Sequence, residues 1–323
     1  MNMTSTMRYF FLLLLGTGVF LTPGCGGDSE TTDLSGYHLD PPELAVGGFP
    51  PIEDGVPVLC YHYFRSGFDG TYLMKVLGSV LFGMPALGPR EFWTTPVGEF
   101  EKHLRYFRDS GTTVMTLDEV ADLLESGADL PVRAVVLTID DADRSVYELA
   151  YPLLRKYGMK AHLFVPTAKV GSPWSDLDIC TWEQLREMVN SGHIIVESHT
   201  RDLHYKVRAG GGLEPVFLHP DRIPEQAGDG LSPLTGPNAA VAEDLVSSRV
   251  DIEAGVGTSA NWLAWPYGFA TDELDSLSRK VGFRGTVSLY PEAFTVRDTT
   301  LQVGRFALTA KSTISHIANI FPR

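Results

Sequence analysis

Two adjacent acids, Asp140 and Asp141, stand at the end of the apolar run Ala134-Val135-Val136-Leu137-Thr138-Ile139. Further along, a second apolar run, Ile194-Ile195-Val196, leads into two histidines, His199 and His204. One carboxylate and two imidazoles make a three-donor set that leaves positions on a metal for water and substrate, as catalytic zinc sites require. The second carboxylate is then a base beside that water. Each signal alone has a plainer explanation. Adjacent acids after a strand also cap helices. Histidines at 199 and 204 do not share a helix face. Pro266-Tyr267-Gly268 alone reads as a turn, and Trp265 alone as a core residue.

The elements that must position these residues follow a parallel α/β rhythm, strand-like and helix-like segments alternating from Val56 onward. Strands are expected at Val56–Tyr61, Val114–Met115, Ala134–Ile139, Lys160–Val165, Ile194–Glu197, Trp262–Trp265 and Gly285–Leu289. Thr116-Leu117-Asp118-Glu119 and Thr181-Trp182-Glu183-Gln184 are capping boxes that open helices stopped by Gly127 and Gly192. Further helices are expected over Glu99–Ser110, Arg144–Tyr157 and Thr271–Lys280, each followed closely by a glycine. In parallel α/β barrels the chemistry gathers at the C-terminal strand ends. His62, Asp140 and Asp141, His199, and Pro266-Tyr267-Gly268 all stand at such ends, on four different strands. His62 is the titratable side chain near neutrality at the first strand's end, which makes it the candidate proton donor. Two long segments, 66–95 and 206–238, also follow strand ends and read as walls of a substrate groove.

The motifs together are similar to those of a known family. Thr138-Ile139-Asp140-Asp141 resembles the Thr-Phe-Asp-Asp motif of the polysaccharide deacetylases, carbohydrate esterase family 4. His199-Thr200 through His204 resembles its two-histidine motif, and Ala264-Trp265-Pro266-Tyr267-Gly268 its Pro-Tyr motif. The five-position histidine spacing and Val58-Leu59-Cys60-Tyr61-His62 look like the poly-N-acetylglucosamine deacetylase branch. The resemblance covers residues 56–320. It implies a distorted, seven-stranded (β/α) barrel, with Asp141, His199 and His204 holding zinc or another divalent ion. It implies Asp140 as base, His62 as acid and the Tyr267 backbone N–H as donor to the oxyanion, with Pro266 fixing that backbone. Trp265 would offer a flat wall to the acetyl group or sugar face. The implied reaction hydrolyses the acetamide groups of an N-acetylglucosamine polymer and releases acetate. Three departures stand against this. Ala142 replaces the Gly after the acid pair, Ala264 replaces an Arg that braces the base in many members, and 66–95 has no evident counterpart.

At 323 residues the chain accommodates one large α/β domain or two small ones, and its net charge of −14 argues against nucleic acid as a partner. Arg8 followed by an apolar stretch to about Leu21 suits a signal peptide and is short of the ~20 residues of a membrane span. Leu21-Thr22-Pro23-Gly24-Cys25 is similar to the lipoprotein box, in which the cysteine takes the lipid. The expected organisation is a signal segment over 1–25, a flexible tether over 26–54 and the deacetylase domain over 55–323. The expected location is the bacterial cell envelope, on a lipid anchor at Cys25. With three cysteines and no Cys-x-x-Cys, a sulfur-ligated zinc site is excluded. Cys60 reads as a core residue, against a Cys60–Cys180 disulfide. Two alternatives remain: the same chemistry on chitin oligomers, peptidoglycan or O-acetyl esters, and a glycan-binding lipoprotein whose site has lost activity.

Overall fold

The computed structural model describes residues 49, 51, 52, 54–67, 89–224, 234–268, 270–295 and 302–321. The signal segment, Cys25 and most of the tether lie outside the described residues, as do residues 68–88 and 225–233 of the two long segments.

One sheet of nine strands organises the fold. Its strands are β1 (Val58–Tyr61), β2 (Thr113–Met115), β3 (Ala134–Ile139), β4 (Ala161–Val165), β5 (Ile194–Ser198), β6 (Trp262–Ala264), β7 (Gly285–Val287), β8 (Gln302–Val303) and β9 (Phe306–Ala307). The spatial order is β8-β7-β6-β5-β4-β3-β1-β9, with every pairing parallel. The segment that carries β8 and β9 pairs with β7 at one end and with β1 at the other. One segment therefore borders both ends of the sheet, which curls into a distorted (β/α) barrel.

The barrel is distorted in two places. The first half of β3 pairs with β2 and the second half with β4. Between β5 and β6 a single register pair, Leu263 with Ser198, remains. The buried Glu197 carboxylate compensates there, accepting the backbone N–H groups of Asn261 at 2.8 Å and Trp262 at 2.9 Å. Its other oxygen meets His162 Nδ1 at 3.3 Å, and His162 Nε2 accepts the N–H of Leu117 at 2.9 Å. His162 thus has a structural role: it closes a chain of buried polar groups that would otherwise lack partners.

Side chains alternate across each strand. Val58, Val136, Phe164, Trp262 and Val287 form one apolar cluster with Leu117, Val120 and Ala121, while Leu59, Tyr61, Leu137, Leu163 and Leu263 form the other, with most of the helices. On that alternation Cys60, Thr138 and Asp140 share the side of Val58 and Val136. The helices of seven or more residues are α1 (Val97–Asp109), α2 (Leu117–Ser126), α3 (Tyr151–Tyr157), α4 (Trp182–Asn190), α5 (Ala239–Val256), α6 (Asp272–Lys280) and α7 (Ile314–Ile320). Both expected capping boxes form, at Thr116 and Thr181.

The helix expected over Arg144–Tyr157 is instead a π-turn, Val146–Ala150, followed by α3. Pro152 in the first turn of α3 has no N–H for the carbonyl four residues back, and the Tyr151 N–H reaches Val146 O one position further. Helix α5, which packs on β5, was not expected from the pattern. Its buried side includes Asp244, Ser247 and Ser248 among apolar residues, so no clean apolar stripe marks it.

Candidate active site

The C-terminal ends of β1, β3, β5 and β6 meet at one place. Asp141, His199 and His204 offer ligand atoms that lie within 4.8 Å of one another. His199 Nε2 is 3.4 Å and His204 Nε2 3.6 Å from Asp141 Oδ1. That oxygen is buried and has no hydrogen-bond partner among the described residues. A buried carboxylate oxygen without a partner is costly, and a cation between it and the two imidazoles removes the cost. His199 Nδ1 donates to Ala264 O at 2.7 Å, which fixes the tautomer and leaves Nε2 free to ligate. The donor set therefore fits a divalent ion.

The loop that sets the unusual histidine spacing is tied to α5. Both oxygens of Asp244 accept backbone N–H groups, those of Arg201 and Asp202, each at 2.8 Å. The Ser248 and Ser198 hydroxyls meet at 2.8 Å, and the Thr200 N–H donates to Ser198 Oγ at 3.1 Å. Asp251 takes the Arg201 Nε–H at 3.1 Å. The polar face of α5 thus holds the backbone between the two histidines.

Asp140 is held differently from its neighbour. Arg305, between β8 and β9, donates to Oδ1 at 2.7 Å and to Oδ2 at 2.8 Å. Burial alone would push the Asp140 carboxyl up, and the charge of Arg305 overcomes it and holds the carboxyl below its ordinary range. The Cys60 thiol lies 3.5 Å from Oδ2, and burial raises that thiol so that it stays protonated. Ala264 does stand in place of an arginine, and Arg305, from between β8 and β9, braces Asp140 instead.

His62 Nε2 is 3.9 Å from Asp140 Oδ2. Burial lowers the His62 imidazole, against the pull of Asp140 and Asp141, so it is neutral at pH 7. His204 is lowered to about 4, also by burial, and so is ready to ligate without losing a proton. Burial would also lower His199, but its contact with Asp141 outweighs that and raises it.

Backbone strain collects here. Among the described residues five non-glycine residues have left-handed φ, and four belong to this site: Asp141 (69°), Ala142 (55°), Thr200 (67°) and Tyr267 (65°). Ala142 enters the left-handed turn that a glycine would make without strain, at roughly 1–2 kcal/mol. The turn is thus kept despite the substitution. Gly268 follows Tyr267 at φ 84°, where a Cβ would lie 2.4 Å from the Leu289 side chain, so glycine is required there.

Aromatic rings border the site. Trp93 lies over the His62 ring, centroids 4.5 Å apart at 30°. Trp174 meets the His204 ring edge-on at 4.8 Å, and the Tyr267 ring stands 4.8 Å from it on a tilted approach. Lys206 Nζ sits 4.5 Å from the Tyr267 ring centre, carried by the hairpin of Lys206–Ala209 and Gly212–Pro215 that follows His204. Trp93 and Trp174 are half-buried, as a wall that also meets solvent must be.

Trp265 differs from the expectation. It is 2% exposed, its indole N–H donates to Asp275 at 2.9 Å, and its ring packs on Phe217. It supports the Pro266-Tyr267 turn from the core and offers no face to a sugar. Pro266 is buried beside it.

Sequence reading missed Arg305, Tyr63, Trp93, Trp174 and Asp244. Arg305 did carry a signal: it is a lone charge within Val303-Gly304-Arg305-Phe306-Ala307-Leu308, and a buried charge needs a partner.

A family model described as polysaccharide deacetylase matches residues 127–286. The poly-beta-1,6-N-acetyl-D-glucosamine N-deacetylase of Staphylococcus aureus (strain MSSA476) is 26% identical over 309 residues, covering 94% of this chain and 93% of its own. The solved structure of IcaB from Ammonifex degensii is 30% identical with a TM-score of 0.65, over 84% of this chain and 98% of that one. A de-N-acetylase from Aggregatibacter actinomycetemcomitans, 24% identical, shares the fold with a TM-score of 0.64 over 82% of this chain and 99% of its own. On the site's residues and on a 30% identical relative matched over nearly its whole length, the chain belongs to the polysaccharide deacetylase family.

Proposed function

We propose that this deacetylase removes N-acetyl groups from a poly-N-acetylglucosamine-type polymer, releasing acetate and leaving glucosamine. The observation that carries the chemistry is the division of labour between adjacent acids: Asp141 faces His199 and His204, while Asp140 is held by Arg305. Support for the polymer comes from the S. aureus relative, which aligns over 93% of its own length.

Asp141, His199 and His204 would hold the ion, and two imidazoles with one carboxylate suit Zn2+. Bound there, a divalent ion supplies an acidified water and polarises the acetamide carbonyl. Asp140 accepts the proton of the attacking water, and Arg305 keeps it ionised and unable to swing. The Tyr267 N–H donates to the developing oxyanion. His62 donates a proton to the departing amine. As a neutral imidazole it must first gain that proton, and Asp140 is the carboxylate that faces it, 3.9 Å away. Trp93 covers the His62 ring and limits its contact with bulk water.

Acetate release from a small panel tests the substrate: poly-N-acetylglucosamine, chitin oligomers, peptidoglycan and an O-acetyl ester. Turnover is expected to be fastest on the first, and faster turnover on any other would overturn that assignment. We propose further that residues 1–25 direct export and that Cys25 is lipidated, supported by Arg8, the apolar stretch to Leu21 and the sequence Leu21–Cys25. Fatty-acid labelling of cells that is unchanged in Cys25→Ser would contradict this.

A further inference from the structure

The ends of β1 and β3 run side by side, Tyr61 in register with Ile139. Beyond that pair each strand continues with two polar residues, His62-Tyr63 on one and Asp140-Asp141 on the other. His62 faces Asp140. Tyr63 is matched with Asp141: its hydroxyl donates to Asp141 Oδ2 at 2.6 Å. Tyr63 is 8% exposed and Asp141 4%. The other oxygen, Oδ1, is the one that faces both histidines.

We propose that Tyr63 is a positioning residue for the metal centre, committing Asp141 to ligation through Oδ1 alone. The proposal rests on the reading of Asp141, His199 and His204 as ligands. A free carboxylate can turn about its last bond and chelate an ion through both oxygens, taking two coordination positions. The Asp141 backbone is already fixed in the left-handed region at φ 69°, so the side-chain torsions are the remaining freedom. A short, charge-assisted hydrogen bond to Oδ2 in a buried setting removes it. One-oxygen ligation leaves one more coordination position for water and the acetamide.

Tyr63 is itself firmly held. The segment Tyr63–Arg65 pairs with Thr94–Pro96, and the next residue's N–H, that of Phe64, donates to Ser145 Oγ at 3.0 Å. The same short strand pair leads directly from Trp93, so the ring over His62 and the hydroxyl on Asp141 are positioned by one piece of structure.

The test is Co2+ titration of the folded wild type, Tyr63→Phe and His199→Ala, read by visible absorption and by the metal-induced rise in melting temperature. Outer partners of metal ligands are typically worth about 10–100-fold in affinity. Tyr63→Phe is expected to bind Co2+ weaker by that factor, with weaker bands shifted to shorter wavelength as the carboxylate takes a second position. Tyr63→Met should behave alike and serves if the phenylalanine variant does not fold. Wild-type affinity with an unchanged spectrum in either variant would overturn the assignment of Tyr63. If the wild type binds no Co2+, or His199→Ala binds it equally well, the metal site itself is wrong and the inference falls with it.

Discussion

Arg305 grips both carboxylate oxygens of Asp140, at 2.7 and 2.8 Å, from 165 residues away along the chain. The contact crosses the seam where β8 and β9 close the barrel, so barrel closure and orientation of the Asp140 carboxylate are one structural event. The guanidinium is 0% exposed, lies 5.4 Å from the Phe164 ring centre and also donates to Ser288 O at 3.0 Å.

Arg305→Lys keeps the charge and loses the fork that fixes the carboxylate plane. Turnover should fall about 100-fold with metal content unchanged, since small displacements of a catalytic group cost that much. Arg305→Met leaves a buried carboxylate without its partner and should destabilise the fold by about 3–5 kcal/mol. Steady-state acetate release and denaturant unfolding check the two. A fully active Arg305→Lys would mean that the fork does not orient the base.

Asp244 satisfies two backbone N–H groups of the loop that carries His199 and His204. Asp244→Ala should cost about 1–3 kcal/mol of stability for each N–H left unpaired. It should also weaken zinc binding by about 10-fold or more, measured by chelator competition. Unchanged zinc affinity in a destabilised variant would show that the loop holds its shape without α5.

His103 predicts a stability profile against pH. It is buried on α1, with Nδ1 3.1 Å from the Tyr61 hydroxyl, and burial lowers it to about 3. In the unfolded chain it titrates near 6.5. Above about 6.5 neither state holds the proton and its contribution to stability is complete. As pH falls below that, the unfolded state gains a proton that the folded state refuses, and stability is lost at about 1.4 kcal/mol per pH unit. Urea unfolding at pH 7.5 and 5.0 should show a smaller loss for His103→Gln than for the wild type. Equal losses would contradict the assignment.

The parts of this molecule legible in its sequence are those where one local signal suffices. The strand Ala134–Ile139 forms with the expected bounds because all six residues are buried and apolar or nearly so. The site residues could be grouped because each stands at a strand's C-terminal end. What escaped depends on distant partners. β8 and β9 have two residues each, too few for any period to show, and they carry Arg305 between them. α5 hides behind its buried Asp244 and Ser248, which are polar because they serve a loop. Trp265 misled because a tryptophan beside a Pro-Tyr turn gives no hint that Asp275 draws it inward.

On the proposed mechanism Asp141 and Asp140 do different work, one holding the ion and the other moving the proton. Zinc content and acetate release measured together on the wild type, Asp140→Asn and His199→Ala test it most directly. One zinc per chain and no acetate release are expected for Asp140→Asn, and neither zinc nor acetate for His199→Ala. Acetate release by Asp140→Asn at the wild-type rate, or full zinc occupancy in His199→Ala, would contradict it.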